Sequence, residues 1–480
     1  MSFKPVFYIN GILLLILSCF MLLPVLVDLA DSSPDWKVFA SAQIVTSFIG
    51  FSLIFTNQEK KFSLNLRQTF ILVTLSWFFL TVFAALPFAL ANIKLSLADA
   101  FFEAASGLTT TGATVIHDLN ILPRGILLWR AILQGLGGIG FLIVALAVLP
   151  LLQISGMQIF KTQSFGMEKV LPSAQQMAFY ILMIYMALIL CCSILFYILD
   201  MSLFDAFCHS LTAVATAGFS NYNASIGHFN NDMIEIVTIL FMWLGSLPFV
   251  LYVHMLKGNS KALLHDSQVK AFFGILFSLS AIVTIHLLLS GQQGLFEALK
   301  NSVFMVTTLM TTTGFTNADY SKWGHFVIGV AFIATFLGAC SGSTAGGIKT
   351  FRLQILWSMF QQQIRKLISP RGVFHVHYNH KMVEHSVQAS VAGFIFVFIL
   401  TWLVFSLMLL TTGLDFVTAL TGAATAISNV GPGLGDIIGP AGNFSTIPDD
   451  AIWILSFAML LGRMELLTFF VLLAPRFWKH

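Results

Sequence analysis

Ten apolar runs decide what this chain can fold into, because most of them are long enough to cross a lipid bilayer. Crossing a hydrocarbon core takes about 20 apolar residues, and inside lipid only helices and closed barrels satisfy every backbone hydrogen bond. Only 9% of the 480 residues are charged, too few to cover a soluble surface. We therefore expect an all-α polytopic membrane protein. The runs are Val6–Val27, Val38–Phe55, Phe70–Ala91, Ile126–Leu152, Met177–Leu199, Met233–Met255, Phe272–Leu289, Val327–Leu337, Val391–Leu410 and Ile452–Leu473.

The distribution of Lys and Arg predicts the orientation of these spans. An even number of crossings leaves both termini on one side of the membrane. A cytoplasmic N-terminus places 17 of the 24 basic residues inside, as the positive-inside rule requires, so both termini are expected in the cytoplasm. The 17 are Lys4, Lys60, Lys61, Arg67, Lys161, Lys169, Lys257, Lys261, Lys270, Lys349, Arg352, Arg365, Lys366, Arg371, Lys381, Arg476 and Lys479.

Four short stretches of small and hydroxyl residues recur between the spans, on the outer side in this topology. They are ASGLTTTGATV around Gly112, VATAGFS around Gly218, MTTTGFT around Gly314 and ISNVGPG around Gly431. An acidic residue beside an aromatic one precedes each stretch. The stretches are too short to span and too apolar for solvated loops. We therefore predict re-entrant half-helices followed by extended backbone, which is tolerated at membrane depth only where it is buried or lines a cavity.

The glycines recur about every 100 residues, which predicts an internal repeat. Each of four repeats would contain a span, a pore half-helix and a second span, arranged around a central pore, with two extra transmembrane helices at the N-terminus. The predicted division is 1–66 for this two-helix addition and 67–160, 161–262, 263–375 and 376–480 for the repeats, with filters near 109–114, 215–220, 311–316 and 428–433.

The chemistry of the four stretches suits a cation. An ion that sheds its water in a pore needs replacement oxygens from backbone carbonyls or hydroxyls, and glycine lets the backbone turn its carbonyls toward an axis. Close helix packing is the alternative use of small residues in membranes, but four copies at matching positions favour a filter. The candidate K⁺ ligands are Thr110, Thr111, Gly112, Ala217, Gly218, Thr312, Thr313, Gly314, Asn429, Val430 and Gly431.

With TTTGAT, ATAGFS, TTTGFT and SNVGPG, each inside a span–half-helix–span unit, the whole chain resembles the Trk/Ktr/HKT superfamily of potassium transporters. The two extra N-terminal helices make it more similar to the bacterial Trk proteins than to the shorter Ktr proteins. The resemblance implies K⁺ uptake through a pore inside each protomer of a homodimer in the bacterial inner membrane, surrounded by membrane lipid. It also implies gating by a cytosolic nucleotide-binding subunit that resembles TrkA. In related plant transporters a serine at the position of Gly112 is associated with Na⁺ preference, so glycine implies K⁺.

A second run of small residues, 338–347, interrupts the span that begins at Val327. So many glycines weaken a helix, at about 1 kcal/mol each, so we predict a flexible intramembrane loop that obstructs the pore beneath the filter, as the resemblance also implies. A loose helix bend is the alternative. The candidate gating residues in this loop are Gly338, Ser341, Gly342, Ser343, Gly346 and Gly347.

Two arginines fall within the apolar runs, where an ionisable group is costly and points to function by default. Arg463 is a candidate gating residue, whose fixed positive charge would oppose K⁺ and pair with oxygens of the 338–347 loop in a closed state. A purely structural salt bridge, to Glu465 or to an acidic residue elsewhere, is the alternative. Arg130 lies nearer the interface, where its side chain can snorkel to water, and is interpreted as structural.

The remaining motifs have plainer interpretations. The GLGGIG motif at 135–140 has the spacing of a dinucleotide fingerprint but lies inside a span, so it indicates close helix packing. His375, His377, His380 and His385 cluster in the longest cytoplasmic connection, where a basic docking surface is favoured over a metal site. Its Lys349–Lys381 part is the candidate contact for a cytosolic subunit. Neither an organic cofactor nor nucleic acid is implied.

One other class of function remains open. A secondary transporter of a small solute, coupled to Na⁺ or H⁺ and built from repeats with broken helices, would place a charged substrate site at the membrane midplane. Four half-helices before four glycines predict an ion pathway instead. An enzyme is not expected, because the apolar runs carry no paired carboxylates, Ser/His pair or metal-ligand spacing.

Overall fold

The computed structural model describes residues 2–58, 64–93, 95–147, 174–379 and 381–479, and over these ranges the chain is mostly α-helical. Two short 3₁₀ turns, Ser225–Phe229 and Tyr320–Trp323, and one β-hairpin of strands β1 (His377–Tyr378) and β2 (Lys381–Met382) complete the described elements. The helices are α1 (Lys4–Ala30), α2 (Trp36–Thr56), α3 (Leu66–Ala84), α4 (Leu86–Leu90), α5 (Leu97–Leu108), α6 (Arg124–Ala147), α7 (Ala174–Ile198), α8 (Leu203–Val214), α9 (Asp232–Ser246), α10 (Phe249–Leu256), α11 (Ala262–His265), α12 (Ser267–Leu289), α13 (Leu295–Met310), α14 (His325–Phe336), α15 (Thr350–Ile368), α16 (His385–Thr411), α17 (Phe416–Ser428), α18 (Asp449–Arg463), α19 (Leu466–Leu473) and α20 (Pro475–Trp478).

The long helices account for nine of the ten predicted spans. Among the described residues, seven helices are long and apolar enough to cross a membrane, and two bent pairs raise the number to nine. The pairs are α9 with α10, bent by 88°, and α18 with α19, bent by 104°. The tenth run forms α14, which ends after 12 residues at Phe336, where the small-residue segment begins. The prediction of an all-α polytopic membrane protein is confirmed.

Four short helices, α5, α8, α13 and α17, lie between the long ones and end three or four residues before the four glycines. The first two start with the same cap, in which Ser96 and Ser202 accept the N–H groups of Asp99 and Asp205. A hydroxyl at this position satisfies a backbone donor that the helix itself cannot. The acidic residue in the first turn also suits the positive end of the helix dipole.

The third and fourth short helices differ in how they begin. Helix α13 has 16 residues against 12 in α5, so it and its first-turn acidic residue Glu297 begin about one turn earlier relative to the loop glycine. Helix α17 has only 13 residues, and Asp415 is its N-cap, accepting the N–H groups of Val417 and Thr418. The fourth short helix therefore has no extra turn and begins with a different cap.

Glycines on the long helices let the short helices approach closely. A Cβ built on Gly137 would lie 2.0 Å from the carbonyl oxygen of Leu108, the last residue of α5. Likewise, a Cβ built on Gly245 would lie 2.4 Å from Val214 O, and one built on Gly462 would lie 2.1 Å from Ile427 O. No side chain fits at these distances, so the GLGGIG motif does serve close helix packing.

Some sequence-based assignments change or fall outside the described ranges. Lys349 and Arg352 were counted as cytoplasmic charges and as part of the docking connection, but both side chains are buried beside the 338–347 segment. The rest of that connection forms α15 and the β-hairpin, with residues 363–371 exposed. Outside the described residues lie Lys60, Lys61, Lys161, Lys169, His380, the boundary between repeats at 160 and 161, and the end of the Ile126–Leu152 run.

Candidate ion pathway and gate

The four glycine loops meet in a closed ring. A Cβ built on Gly112 would lie 2.2 Å from Ala217 O, one on Gly218 would lie 1.8 Å from Thr313 O, and one on Gly314 would lie 2.1 Å from Val430 O. Gly431 completes the circle, since a Cβ built on it would lie 2.7 Å from Thr111 O. Each glycine therefore faces the carbonyl that precedes the next glycine, in the order of the sequence. A ring of backbone oxygens at close quarters is the arrangement that can replace the hydration shell of a cation.

The loops share one backbone conformation, which explains their composition. The φ angles of Gly112, Gly218 and Gly314 are all 83° and that of Gly431 is 109°, values that residues with a Cβ rarely adopt. Two residues earlier each loop has a residue in the left-handed region, with φ between 49° and 56°. These four are Thr110, Thr216, Thr312 and Asn429.

Thr216 is a loop residue that sequence reasoning missed. It occupies the position of Thr110 and Thr312, whereas Ala217 and Gly218 alone were chosen for the second loop. Aligning ATAG with TTTG residue by residue would have identified it. Its hydroxyl lies 3.0 Å from that of Thr344 in the 338–347 segment.

Threonines at other loop positions brace the loops instead of facing an ion. The hydroxyl of Thr111 lies 2.7 Å from that of Thr109, and the hydroxyl of Thr313 lies 2.7 Å from that of Thr311. Each pair is a hydrogen bond within one loop and restrains the conformation of that loop. The hydroxyls of Thr111 and Thr313 are therefore engaged within their own loops, whereas their carbonyl oxygens lie in the ring.

A buried ion pair supports the outer ends of the first and second loops. Glu103, fully buried on α5, accepts hydrogen bonds from the Thr114 hydroxyl and the Val115 N–H and pairs with Arg130 at 2.7 Å. Arg130 also donates to Ser220 O at 2.7 Å. It is 1% exposed, so the prediction that it snorkels to water was wrong.

An outer cavity of about 70 Å³ opens onto the ring and is lined by all four loop glycines. Tyr222 lines its rim and donates a hydrogen bond to Asp205. Burial, and then the nearby Asp205 carboxylate, raise the pKa of Tyr222 to about 12. The Tyr222 phenol therefore keeps its proton at neutral pH and remains a hydrogen-bond donor at the rim of the cavity.

The 338–347 segment lies directly against the inner side of the ring. The Gly346 N–H donates to the Thr312 hydroxyl at 2.6 Å, and a Cβ on Gly346 would lie 2.4 Å from Ser428 O. The Thr344 hydroxyl lies 3.0 Å from the Thr216 hydroxyl. The segment thus contacts the second, third and fourth loops at their inner ends. In the remaining loop, the first, the Thr110 hydroxyl is buried with no hydrogen-bond partner among the described residues.

The segment is an ordered excursion rather than a helix bend. Its two ends pair with each other, since Gly338 N–H donates to Ile348 O at 2.9 Å. Its tip contacts the α9–α10 bend, where Phe249 N–H donates to Gly342 O at 2.9 Å. Ser341 N–H donates to Gln268 at 2.7 Å, whereas the Ser343 hydroxyl bonds only within the segment, to Cys340 O at 2.6 Å. In this structure the backbone of the segment is held by hydrogen bonds at several points.

Below the segment lies the buried side chain of Arg463. It is 2% exposed, none of its guanidinium nitrogens has a hydrogen-bond partner among the described residues, and it lies 4.1 Å from the ring centroid of Phe141. The alternative salt bridge to Glu465 was wrong, because Glu465 pairs with Arg352 at 2.7 Å. Pairing of Arg463 with loop oxygens is also absent from this structure.

Lys349 is a second cation here, and sequence reasoning placed it in a loop. Its ammonium group donates to Ala345 O and lies 5.4 Å from the Phe141 ring centroid. Lys349, Arg463, Gly346, Gly347 and Asn429 line one small cavity. The ion-paired Arg352 and Glu465 line the same cavity, so three basic side chains and one carboxylate lie together on the inner side of the ring.

Comparison with known proteins places the whole chain in one group. The model of the TrkH family, described as a cation transport protein, matches residues 36–480. The chain is 42% identical over 479 residues to the Trk system potassium uptake protein TrkI of Halomonas elongata, covering 99% of this chain and 97% of that one. It is 34% identical over 487 residues to the Trk system potassium uptake protein TrkH of Vibrio parahaemolyticus, covering all of both. The crystal structure of the potassium transporter TrkH from Vibrio parahaemolyticus superposes with a TM-score of 0.93 over 100% of both chains, at 33% identity.

Proposed function

The chain belongs to the TrkH family of cation transport proteins, and from that premise we propose that it takes up K⁺ through a channel-like pore in the bacterial inner membrane. The closed ring of four loops is the observation that carries the proposal, because it gathers backbone oxygens from four distant parts of the chain around one point. The relatives named as potassium uptake proteins support K⁺ as the ion. The chain acts as a transporter rather than an enzyme.

The ion ligands in this proposal are mainly backbone carbonyls. Those of Thr111, Ala217, Thr313 and Val430 face neighbouring glycines around the ring, and the four glycines allow the approach. Thr110, Thr216 and Thr312 add hydroxyls at the inner end. In the fourth loop the equivalent residue is Asn429, which has the same backbone conformation but carries an amide in place of a hydroxyl. K⁺ is the transported ion, and the proposal needs no organic cofactor.

The gate in this proposal is the 338–347 segment, in the closed position. Its contacts with Thr216 and Thr312 occupy hydroxyls that would otherwise face the innermost ion. Arg463 and Lys349 add positive charge below it, which raises the energy of a cation leaving toward the cytoplasm. Opening therefore requires the segment to leave the ring and the two charges to become hydrated or neutralised.

The regulatory partner in this proposal is a cytosolic nucleotide-binding subunit resembling TrkA, and the chain forms a homodimer with both termini in the cytoplasm. Helix α15 begins in the interior directly after the gate and ends at exposed residues, among them Arg365 and Lys366. A rigid helix that joins an exposed basic end to the gate is a direct path for a force from such a partner. Crosslinking in native membranes would test both assemblies.

Rb⁺ uptake into liposomes holding the purified protein tests the proposal. We expect uptake that K⁺ suppresses more strongly than Na⁺ or Li⁺. Gly314→Val should abolish it, because its Cβ would lie 2.1 Å from Val430 O, while Gly329→Val, in open space on α14, should not. Absence of cation flux with and without the regulatory subunit would refute the pore. Uptake that requires an imposed Na⁺ or H⁺ gradient would favour the coupled transporter instead.

A further inference from the structure

A single amide side chain on the inner helix of the first repeat holds the second loop at both sides of its glycine. Gln134 on α6 donates from Nε2 to Ala217 O at 2.7 Å and accepts at Oε1 from Phe219 N–H at 2.9 Å. Its side chain is fully buried. The orientation of the amide is unambiguous, since a carbonyl can only accept and a backbone N–H can only donate.

The second loop needs an external brace because it lacks the internal one. The first and third loops are held by the hydroxyl pairs Thr109–Thr111 and Thr311–Thr313. The corresponding residues of the second loop are Ala215 and Ala217, which have no hydroxyl to pair.

The fourth loop lacks the pair as well, because Val430 replaces the second threonine. It is also held by an amide, that of Asn429, which donates to the Thr111 hydroxyl at 3.0 Å and to Met459 O at 2.9 Å. Hydroxyl-paired and amide-braced loops therefore alternate around the ring.

Close packing of α6 makes the brace possible and the hydroxyl pair difficult. A Cβ built on Gly138 would lie 3.0 Å from the Ala215 Cβ, so α6 already touches the place where a threonine at 215 would add atoms. The same approach brings Gln134, one turn earlier, within reach of the loop backbone. Part of the GLGGIG motif thus serves to position this amide.

We propose that Gln134 is a positioning residue that sets the discrimination between K⁺ and Na⁺ by fixing the Ala217 carbonyl. This inference rests on the proposed function of the ring. A carbonyl oxygen has two lone pairs, so the bond from Gln134 leaves one for the ion while it limits how far the oxygen can swing. Without the bond the Ala217 carbonyl can move inward and accommodate the smaller Na⁺.

The test measures competition rather than total flux. In the liposome assay, Gln134→Met keeps the length and apolar volume of the side chain and removes both hydrogen bonds. We expect the ratio of the half-inhibitory concentrations of Na⁺ and K⁺ against Rb⁺ uptake to fall about tenfold, equivalent to about 1.4 kcal/mol. Gln134→Glu keeps the acceptor for Phe219 N–H but loses the donor to Ala217 O, because a carboxylate only accepts. It should therefore lower the ratio at least as much as Gln134→Met.

Gln388→Met is the matched control, because Gln388 is also buried and donates to a backbone carbonyl, Val383 O at 2.8 Å, far from the loops in sequence. The ratio of the half-inhibitory concentrations of Na⁺ and K⁺ for Gln388→Met should equal that of the unaltered protein. Either folded Gln134 variant with an unaltered ratio would overturn the proposal while leaving the pore intact. Failure of both variants to purify as monodisperse protein would assign Gln134 to folding and overturn it as well. An unaltered protein without cation preference would instead refute the proposed function.

Discussion

The amide of Asn429 donates a hydrogen bond to the hydroxyl of Thr111 at 3.0 Å, which ties the fourth loop to the first across 318 residues of sequence. This bond and the contact of Gly431 with Thr111 O bring the last loop of the chain onto the first and close the ring. Asn429 also adopts a left-handed conformation, with φ of 56°, which Asn tolerates better than most residues.

Substitution of Asn429 should separate its conformational role from its bonding role. Asn429→Gly keeps the left-handed backbone and removes the bonds to Thr111 and Met459, so we expect weaker Na⁺ rejection with a modest loss of stability. Asn429→Ala adds a strain of about 1–2 kcal/mol and should lower the thermal midpoint further. Thermal unfolding in detergent and the Na⁺/K⁺ competition ratio measure the two effects. Equal midpoints for the two variants would contradict the conformational argument.

Removal of the Arg463 charge should raise flux through the isolated protein. Arg463→Ala deletes a buried cation that has no hydrogen-bond partner among the described residues, so it should lower the barrier for K⁺ below the gate without breaking a bond. Arg463→Lys retains a charge and should behave more like the unaltered protein. Rb⁺ uptake without the regulatory subunit is the measurement. Unchanged or lower flux at normal expression would count against a gating role.

The neighbouring pair Arg352–Glu465 should behave in the opposite way. Glu465→Gln removes the carboxylate 2.7 Å from Arg352, and loss of one partner of a buried ion pair costs about 3–5 kcal/mol. The substitution also leaves the positive charge of Arg352 without its partner, near Arg463. We expect lower thermal stability and lower Rb⁺ uptake, both measured on purified protein. Higher uptake would show that Glu465, rather than Arg463, restrains the ion.

Sequence patterns predicted the fold because apolar length, basic residues and the four glycines each report on a local requirement. The same patterns could not reveal partners that depend on packing. Glu465 lies two residues from Arg463 in the sequence yet bonds to Arg352, because the 104° bend after Arg463 turns its backbone away. Lys349 was counted as cytoplasmic because nothing in the sequence shows that the 338–347 segment carries it into the interior.

The ring itself illustrates the same division. A glycine with a small polar residue before it predicts a filter loop, and the structure brings all four glycines together. Which hydroxyls face the ion could not be predicted, since the pairs Thr109–Thr111 and Thr311–Thr313 form only in the folded loop. The role of Gln134 was hidden for a related reason, because its partners are backbone atoms of another repeat.

Loss of the Thr344 hydroxyl should loosen the gate. Its oxygen lies 2.9 Å from Gly245 O, 3.1 Å from Val214 O and 3.0 Å from the Thr216 hydroxyl. Thr344→Val keeps the shape and removes these bonds, and one hydrogen bond is worth about 1 kcal/mol. We expect Rb⁺ leak without the regulatory subunit to rise by about fivefold. Ser343→Ala is the control, since that hydroxyl bonds only within the segment, and an equal rise in both variants would contradict a specific role.

A side chain at Gly112 should disturb both selectivity and folding. The resemblance to plant transporters with a serine at this position suggests that Gly112→Ser would weaken Na⁺ rejection. The structure adds that its Cβ would lie 2.2 Å from Ala217 O and that φ is 83°, so the first and second loops must separate, at a further cost of about 1–2 kcal/mol for the backbone. We therefore expect a lower thermal midpoint together with a lower Na⁺/K⁺ competition ratio. Gly140→Ser, on α6 with open space around its Cβ, should change neither, and a Gly112→Ser protein as stable as the original would show that the loops can part without cost.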